Sequence, residues 1–385
     1  MSRITTSSVR LGAAFLMATS AIGPGFLTQT TVFTAQLGAS FGFVILVSVI
    51  LDLAVQVNVW RIITASGQRA PVLAGQVLPG LGHLLTLLIV FGGLAFNIGN
   101  VAGAGLGLEV FLGIPAVYGA ILSGLLAMAL FLSRQAGRAV DMFSRVLGVL
   151  MIALMVWVAF AAHPPLAPVV THTFWPEKVD MKVILTIVGG TVGGYISFAG
   201  AHRLLESGWA GPAFVPDATR SALQGIGVAT AMRVLLFLAA WGVVASGAVL
   251  DAANPPASMF RIAAGAVGYR FFGVVIWAAA ITSVVGATFT SLSFLTASFP
   301  FVQRHRNPAM LLFIGFSVLV FVFYGKPVTL LVWAGTVNGF ILPVAMAVLL
   351  LAARRPERLN GYQLPLWGQI AGWMVVVVMG GMAVR

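Results

Sequence analysis

LGAAFLMATSAIGPGFLTQTTVFTAQLG, residues 11–38, is long enough to cross a bilayer but is interrupted at its centre by Gly23-Pro24-Gly25-Phe26. Pro24 has no N–H to donate, and the flanking glycines let the chain leave helical geometry. In hydrocarbon each freed backbone group costs several kcal/mol unless protein or a watery cavity satisfies it. A break at bilayer depth is therefore either a packing kink or part of a transport site. The half before it (11–22) is apolar, whereas the half after it (27–38) carries Thr28, Gln29 and Thr30.

Working outward, the chain of 385 residues is 60% hydrophobic and only 8% charged, against about 25% charged in a soluble protein. Apolar stretches of the roughly 20 residues that a bilayer demands recur at 41–64, 82–108, 115–133, 142–162, 183–202, 222–248, 272–298, 309–325, 329–352 and 366–384. With the broken first span they predict an all-α polytopic membrane protein of about 11 helices. The intervals 163–182 and 203–221 read as loops, the first of them proline-rich and extended. Arg3 and Arg10 ahead of an apolar run imitate a signal peptide, but the many spans that follow favour a retained first helix. Cysteine is absent, so thiolate metal sites and disulfides are excluded.

The net charge of +12 is an orientation signal and not a nucleic-acid patch. With a cytoplasmic N-terminus (1–10), one side holds Arg3, Arg10, Arg61, Arg69, Arg134, Arg138, Arg145, Arg203, Arg220, Arg304, Arg306, Arg354, Arg355 and Arg358. The other holds Lys178, Lys182, Arg261, Arg270, Lys326 and Arg385. This is the positive-inside bias of a multi-pass protein of the plasma (bacterial inner) membrane.

Polar residues inside spans are functional-site candidates. Asp52 sits ten residues into span 2 from Gly42, roughly 15 Å deep at 1.5 Å per residue, with Gln56 one turn on. Asn97 and Asn100 lie in span 3 beside a stripe of Gly99, Gly103 and Gly107, which is most simply a close helix-packing face. The asparagines either join helices or line a polar path. Span 6 supplies a second break, Gly189-Gly190-Thr191-Val192-Gly193-Gly194, followed by the more polar Tyr195, Ser197, His202 and Arg203. Paired interrupted segments in corresponding positions of two halves point to an inverted-repeat transporter, with repeats at 11–162 and 183–352 and a final span at 366–385. Arg233, near mid-depth in span 7, occupies the repeat position of Asp52. It is either a structural partner of Asp52 or a receptor for an anionic substrate group. The hydroxyls Thr282, Ser283, Thr288, Thr290 and Ser291 are weak signals, since hydroxyls in membrane helices commonly bond back to the backbone.

The Gly-Pro-Gly centre of span 1, Gln56, Arg61 and Gly67 closing span 2, Gly190-Thr191-Val192 in span 6 and Leu342-Pro343-Val344-Ala345 in span 10 together resemble the Nramp family of proton-coupled divalent-metal transporters. The resemblance covers most of the chain and implies eleven spans in the five-plus-five inverted repeat of the LeuT-type fold. It also implies metal ligands, and at those positions this sequence departs. The Asp and Asn of the family's span 1 break fall at Gly23 and Phe26, and its span 6 methionine at Gly193. Its span 3 acids fall at Asn97 and Asn100, and its span 6 histidines at Tyr195 and Gly200. A transition metal needs carboxylate, imidazole or sulfur donors, so the resemblance implies the fold with a different cargo.

The expected substrate site is Gly23, Pro24, Gly25, Phe26, Thr28, Gln29 and Thr30 facing Gly190, Gly193, Gly194, Tyr195 and Ser197. Asp52, Gln56, Asn97, Asn100 and Arg233 are the coupling or charge residues. The half-helix beginning near Leu27 presents amide groups and a positive dipole end, which favour carboxylates. The first expectation is a secondary-active transporter of a small carboxylate-bearing or amino-acid-like solute, driven by protons or sodium. A second keeps a divalent metal (Mg, Mn or Fe), with Asp52 the one acid near. A third is a non-transporting receptor or scaffold. No nucleophile–base pair, phosphate loop or cofactor motif marks an enzyme.

Overall fold

The computed structural model of the chain describes residues 14, 17–18, 21–132 and 136–384, with side chains from residue 148 onward in the helix that begins at 136. The N-terminal segment 1–10, Arg134, Arg385 and the side chains of Arg138 and Arg145 lie outside the described residues. Helices follow in the order α1 (Pro24–Leu37), α2 (Phe41–Ser66), α3 (Leu81–Leu112), α4 (Ala116–Leu132), α5 (Ala136–Ala161), α6 (Leu166–Phe174) and α7 (Met181–Val192). Then come α8 (Tyr195–Glu206), α9 (Val215–Ala245), α10 (Pro255–Ser298), α11 (Arg306–Tyr324), α12 (Pro327–Ala353) and α13 (Leu366–Val384). Among the described residues there is no strand.

Eight helical stretches are long and apolar enough to cross a membrane, or nine if Gly148–Ala161 and Leu166–Phe174, bent by 106°, form one span. One of the eight, Pro24–Ser66, has 43 residues, about twice what the ~30 Å hydrocarbon core accommodates. It is two spans divided at Gly38, whose φ of 58° and ψ of −138° are open to glycine and end α1. Counting these two, the 17-residue α4 and the apolar α5 recovers the expected eleven.

The exterior of the bundle is apolar. Phe160, Leu312, Phe323 and Val377 stand exposed, while Gln29, Gln56, Asn58, Asn97 and Asn338 are fully buried, the arrangement a lipid solvent favours. Burial of apolar area gives little drive between helices in lipid, so close packing must hold them. The stripe on α3 does this: Gly103 abuts Pro24, Gly107 abuts Trp277 of α10, and Gly99 faces Leu331 and Ala334 of α12. Among the described residues the pair α3–α10 packs most extensively, followed by α12 with α7.

Three expected boundaries shift. The interval 163–182 is not simply extended, because Leu166–Phe174 is helical, starting at the proline-permissive first turn after Pro165. The interval 203–221 shrinks, since α8 runs to Glu206 and α9 begins at Val215 with Pro216 in its first turn. Span 8 gains an additional arm from Pro255, joined to the rest across a non-helical Gly265 (φ 64°, ψ −161°). Pro343 leaves α12 continuous.

The α7–α12 contact is close enough to be tested. A Cβ on Gly189 would overlap the backbone of Gly335 and Gly339, whereas one on Gly227 meets nothing within 4 Å. Gly189→Ala should destabilise the detergent-solubilised protein by about 1–3 kcal/mol. Gly227→Ala should stabilise it by roughly 0.5–1 kcal/mol. Thermal unfolding followed by size-exclusion chromatography reads both, and equal effects would refute the packing assignment.

Candidate functional site

Both interrupted spans are broken, and in different ways. The first half-helix is helical at residues 14, 17, 18 and 21 and ends as Ile22 N–H donates to the Ala18 carbonyl (2.8 Å) and Gly23 N–H to that of Ala21 (3.0 Å). Gly23 is extended (φ −110°, ψ −172°), and α1 starts at Pro24. No side chain caps this start, so the amides of Gly25 and Phe26 belong to the set a helix leaves without internal partners. The polar half-helix thus begins three residues earlier than the expected Leu27.

The second break is narrower than the glycine run suggests. Gly189 and Gly190 remain helical in α7, and the chain departs at Gly193 (φ −74°, ψ 156°) and Gly194 (φ 53°, ψ −126°). It is closed by its own residues. Gly193 N–H donates to the Gly189 carbonyl (3.1 Å) and Ile196 N–H to that of Gly193 (3.2 Å), and the Ser197 hydroxyl donates to the Val192 carbonyl. A Cβ on Gly194 would overlap Asn338 Oδ1 of α12, so this glycine is required by both conformation and space.

Between the breaks lies a cluster of buried polar groups. The Arg233 guanidinium of α9 sits 4.3 Å over the Phe26 ring, and its Nη1 donates to Thr191 Oγ1 (2.7 Å). Its Nε and Nη2 have no partner. Asp52 of α2 interacts electrostatically with Arg233, but the two make no ion pair within 4.0 Å, and Asp52 Oδ1 is unpartnered. Each residue is 2% exposed. One turn from Asp52, both amide atoms of Gln56 also lack partners. Ser283 Oγ and Asn100 Oδ1 border Gly23. Asn100 meets the Tyr195 hydroxyl, whose ring packs edge-on against Phe96 at 5.5 Å.

Gln29 ties α1 to α12 through a 2.8 Å bond from Nε2 to the Leu331 carbonyl. Its amide fills the space left by Gly190 and Gly335, with Gly25 alongside. Thr31 and Thr34 bond back to their own helix, while the hydroxyls of Thr28 and Thr30 are buried without partners. Thr282 and Thr288 back-bond as hydroxyls in membrane helices commonly do.

The structure separates some expected residues. Asn97 turns away from Asn100 and donates to Ser317 of α11 (2.9 Å), joining helices. Ser197 is engaged in closing the break. Thr191, the direct partner of Arg233, stands in sequence only as part of the glycine run and of the Gly190-Thr191-Val192 mark. Asn338, five residues before Pro343 on α12, donates from Nδ2 to the Gly92 and Ala334 carbonyls (3.0 and 2.8 Å) beside the second break. His202, with both ring nitrogens unpartnered, stacks on Phe294 at 5.0 Å, away from this cluster.

Comparison with known proteins fits this architecture. Residues 14–385 match the family described as Nramp, natural resistance-associated macrophage protein-like. The chain belongs to the Nramp family. An uncharacterized membrane protein of Bacillus subtilis, YcsG, is 50% identical over 98% of this chain and 93% of its own length. One from Haemophilus influenzae is 51% identical over 96% and 93%. A crystal structure of the Eremococcus coleocola manganese transporter, in complex with an aromatic bis-isothiourea compound, superposes with a TM-score of 0.76. It is 16% identical, and the match covers 100% of this chain and 87% of that one. MhsT in complex with L-phenylalanine matches with a TM-score of 0.68 at 14% identity over 97% and 98%. The fold is thus that of Nramp and LeuT-type transporters, and the chain is a multi-pass membrane transporter. Within this Nramp frame, Gly23, Phe26 and Gly193 offer no side-chain oxygen, nitrogen or sulfur. Among the described residues no group of three or more His, Cys, Asp or Glu side chains gathers anywhere.

If the Ser197 hydroxyl serves the break, Ser197→Ala should cost about 1–3 kcal/mol of thermal stability by leaving the buried Val192 carbonyl unpaired. Ligand affinity, read from titration of stabilised protein, should stay within twofold. A selective loss of affinity would return Ser197 to the substrate site.

Proposed function

We propose that this Nramp protein is a secondary-active, cation-coupled transporter of a small organic solute bearing a carboxylate, such as an amino-acid-like compound. In this reading the carboxylate seats between the start of α1 and the second break, against Arg233. Residues 11–162 and 183–352 are the two repeats that move around it. The N-terminus faces the cytoplasm of a bacterial inner membrane.

The observation that carries the reading is the Arg233 guanidinium, buried beside the first break with Nε and Nη2 unpartnered. Guanidinium donates five N–H groups and has no lone pair, so it cannot ligate a metal. A planar pair of unused donors matches a carboxylate, and a hydrogen bond to a charged group contributes about 1.5–3 kcal/mol. The uncapped amides of Gly25 and Phe26 supply a second set of donors of the same polarity. The acceptors Thr28, Thr30, Gln29 Oε1 and Gln56 Oε1 suit the polar remainder of an organic solute. For a dication the balance is poor. Asp52 and Arg233 cancel in net charge, and one carboxylate among neutral amides and hydroxyls is thin ligation for Mn or Fe. The fold is compatible with an organic cargo, since its neighbour MhsT holds L-phenylalanine.

Thermal-shift titration of purified protein with acetate, L-lactate, L-alanine and L-phenylalanine, against Mg²⁺, Mn²⁺ and Fe²⁺, tests this. At least one carboxylate should stabilise the protein, and Arg233→Gln should weaken it by about 10- to 100-fold, the equivalent of one charge-assisted bond. Saturable stabilisation by a metal that depends on Asp52, with every carboxylate inert, would overturn the reading in favour of a divalent cation. Uptake by proteoliposomes of the stabilising compound separates transport from mere binding by a receptor.

A further inference from the structure

We propose that Asp52 is the proton-coupling site of this transporter, taking up one proton with each carboxylate that binds at Arg233. The inference rests on the carboxylate reading above and adds the identity of the driving ion and its location.

The geometry gives three independent reasons. First, Asp52 and Arg233 are both buried and interact through space without touching. A structural ion pair inside a membrane closes to hydrogen-bond distance because each unpaired charge is costly there. Here Asp52 Oδ1 and Arg233 Nε and Nη2 remain unpartnered, so the pair is held apart with both members available to other partners. Second, Asp52 and Arg233 are the charge-bearing side chains of the cluster, and when both are ionised their charges cancel. An arriving carboxylate brings the buried cluster to −1, in surroundings where charge is poorly screened. A proton on Asp52 restores neutrality. Third, Asp52 is the only buried Asp or Glu among the described residues. The elements packed against α2 bring Lys182 (α7), Tyr195, His202, Arg203 and Glu206 (α8), His172 (α6), and Asp217 and Arg220 at the start of α9. They also bring Glu357 and Arg358, in the short turn after α12. Arg61 lies on α2 itself, bonded to Thr219. Arg233 is the charged side chain that acts on Asp52 through space.

The step balances simply. A proton from the solvent on the loading side binds an Asp52 carboxylate oxygen as the cargo carboxylate binds Arg233, and both leave on the opposite side. No bond in the cargo changes. The loaded cluster carries the same net charge as the empty one, so neither has to cross the bilayer with an uncompensated buried charge. Linkage makes the two bindings reciprocal: whatever the proton adds to carboxylate affinity, the carboxylate adds to proton affinity. Affinity must therefore rise as pH falls, by up to about tenfold per pH unit while Asp52 titrates.

The test is affinity against pH, through the neutral range and below, for whichever of acetate, L-lactate, L-alanine and L-phenylalanine binds most tightly, in sodium-free buffer. Wild-type affinity should tighten on acidification. Asp52→Asn should bind with a flat profile, and Asp52→Glu should keep a slope. A slope that persists in Asp52→Asn, or a wild-type affinity that follows sodium at fixed pH, overturns the assignment to Asp52 while leaving the carboxylate reading intact. If none of the four probes binds at any pH, the carboxylate reading fails and this inference falls with it. Should Asp52→Asn not fold, a flat profile in wild type and in Asp52→Glu overturns the proposal equally well.

Discussion

Inside hydrocarbon a polypeptide must satisfy its own main chain, and the whole of this molecule is arranged around two places where that requirement is hardest to meet. At the second break the chain meets it from within. Gly193, Ile196 and the Ser197 hydroxyl return hydrogen bonds across the gap, and Asn338 braces it from α12. At the first break Gly23 donates to the Ala21 carbonyl and accepts from Leu27 N–H, and among the described residues no side chain bonds the start of α1. Pro24 removes one donor, no side chain caps α1, and the next two amides are left to whatever occupies the centre. The asymmetry leaves the first break with free amides and the second with its own hydrogen bonds.

Holding such gaps rigid demands packing rather than burial, because lipid is as apolar as the residues it would be exchanged for. The molecule responds with glycine. Pro24 seats on Gly103, and the Gln29 amide fills the room that Gly190 and Gly335 vacate. A single 2.8 Å bond from Gln29 then fixes α1 to the Leu331 carbonyl. The α7–α12 contact is so close that a methyl group on Gly189 would meet backbone. Four of the glycines that read as helix breakers are therefore divided between two tasks: Gly189 and Gly190 admit neighbours to an intact helix, and Gly193 and Gly194 let the helix stop.

That division marks the limit of what was legible beforehand. The spans, the two broken helices and the buried Asp52 and Arg233 all follow from local composition, because the bilayer imposes length and polarity rules that a single chain records directly. Which glycine ends a helix and which packs against one depends on the partner helix, which composition does not encode. The same holds for Asn97 and Asn100. Three residues apart, they look equivalent in sequence, yet one reaches Ser317 on α11 and the other lies by Gly23 and Tyr195. Leu166–Phe174 was read as extended because its flanking prolines signal a loop, although a proline just ahead of a helix is also a good start for one. Thr191 was hidden for a different reason. A hydroxyl in a membrane helix normally answers its own backbone, as its 2.7 Å bond to Ile187 shows, and its second role appears only when Arg233 arrives from α9.

Arg233 completes the logic of the site. A guanidinium at bilayer depth is costly, and the usual remedy is a touching carboxylate. Thr191 and the face of Phe26 moderate the cost instead, the first by one hydrogen bond and the second by its negative quadrupole. Phe26 stands where the Nramp resemblance places a metal ligand. Substitution there therefore does more than remove a ligand: it puts an aromatic face under a cation, at the position where the resemblance implies a neutral amide. The two changes reinforce each other, because a site that presents hydrogen-bond donors gains nothing from retaining metal ligands. A fold that holds Asp52 at a distance, rather than in contact, leaves Asp52 Oδ1 and Arg233 Nε and Nη2 without partners between the breaks.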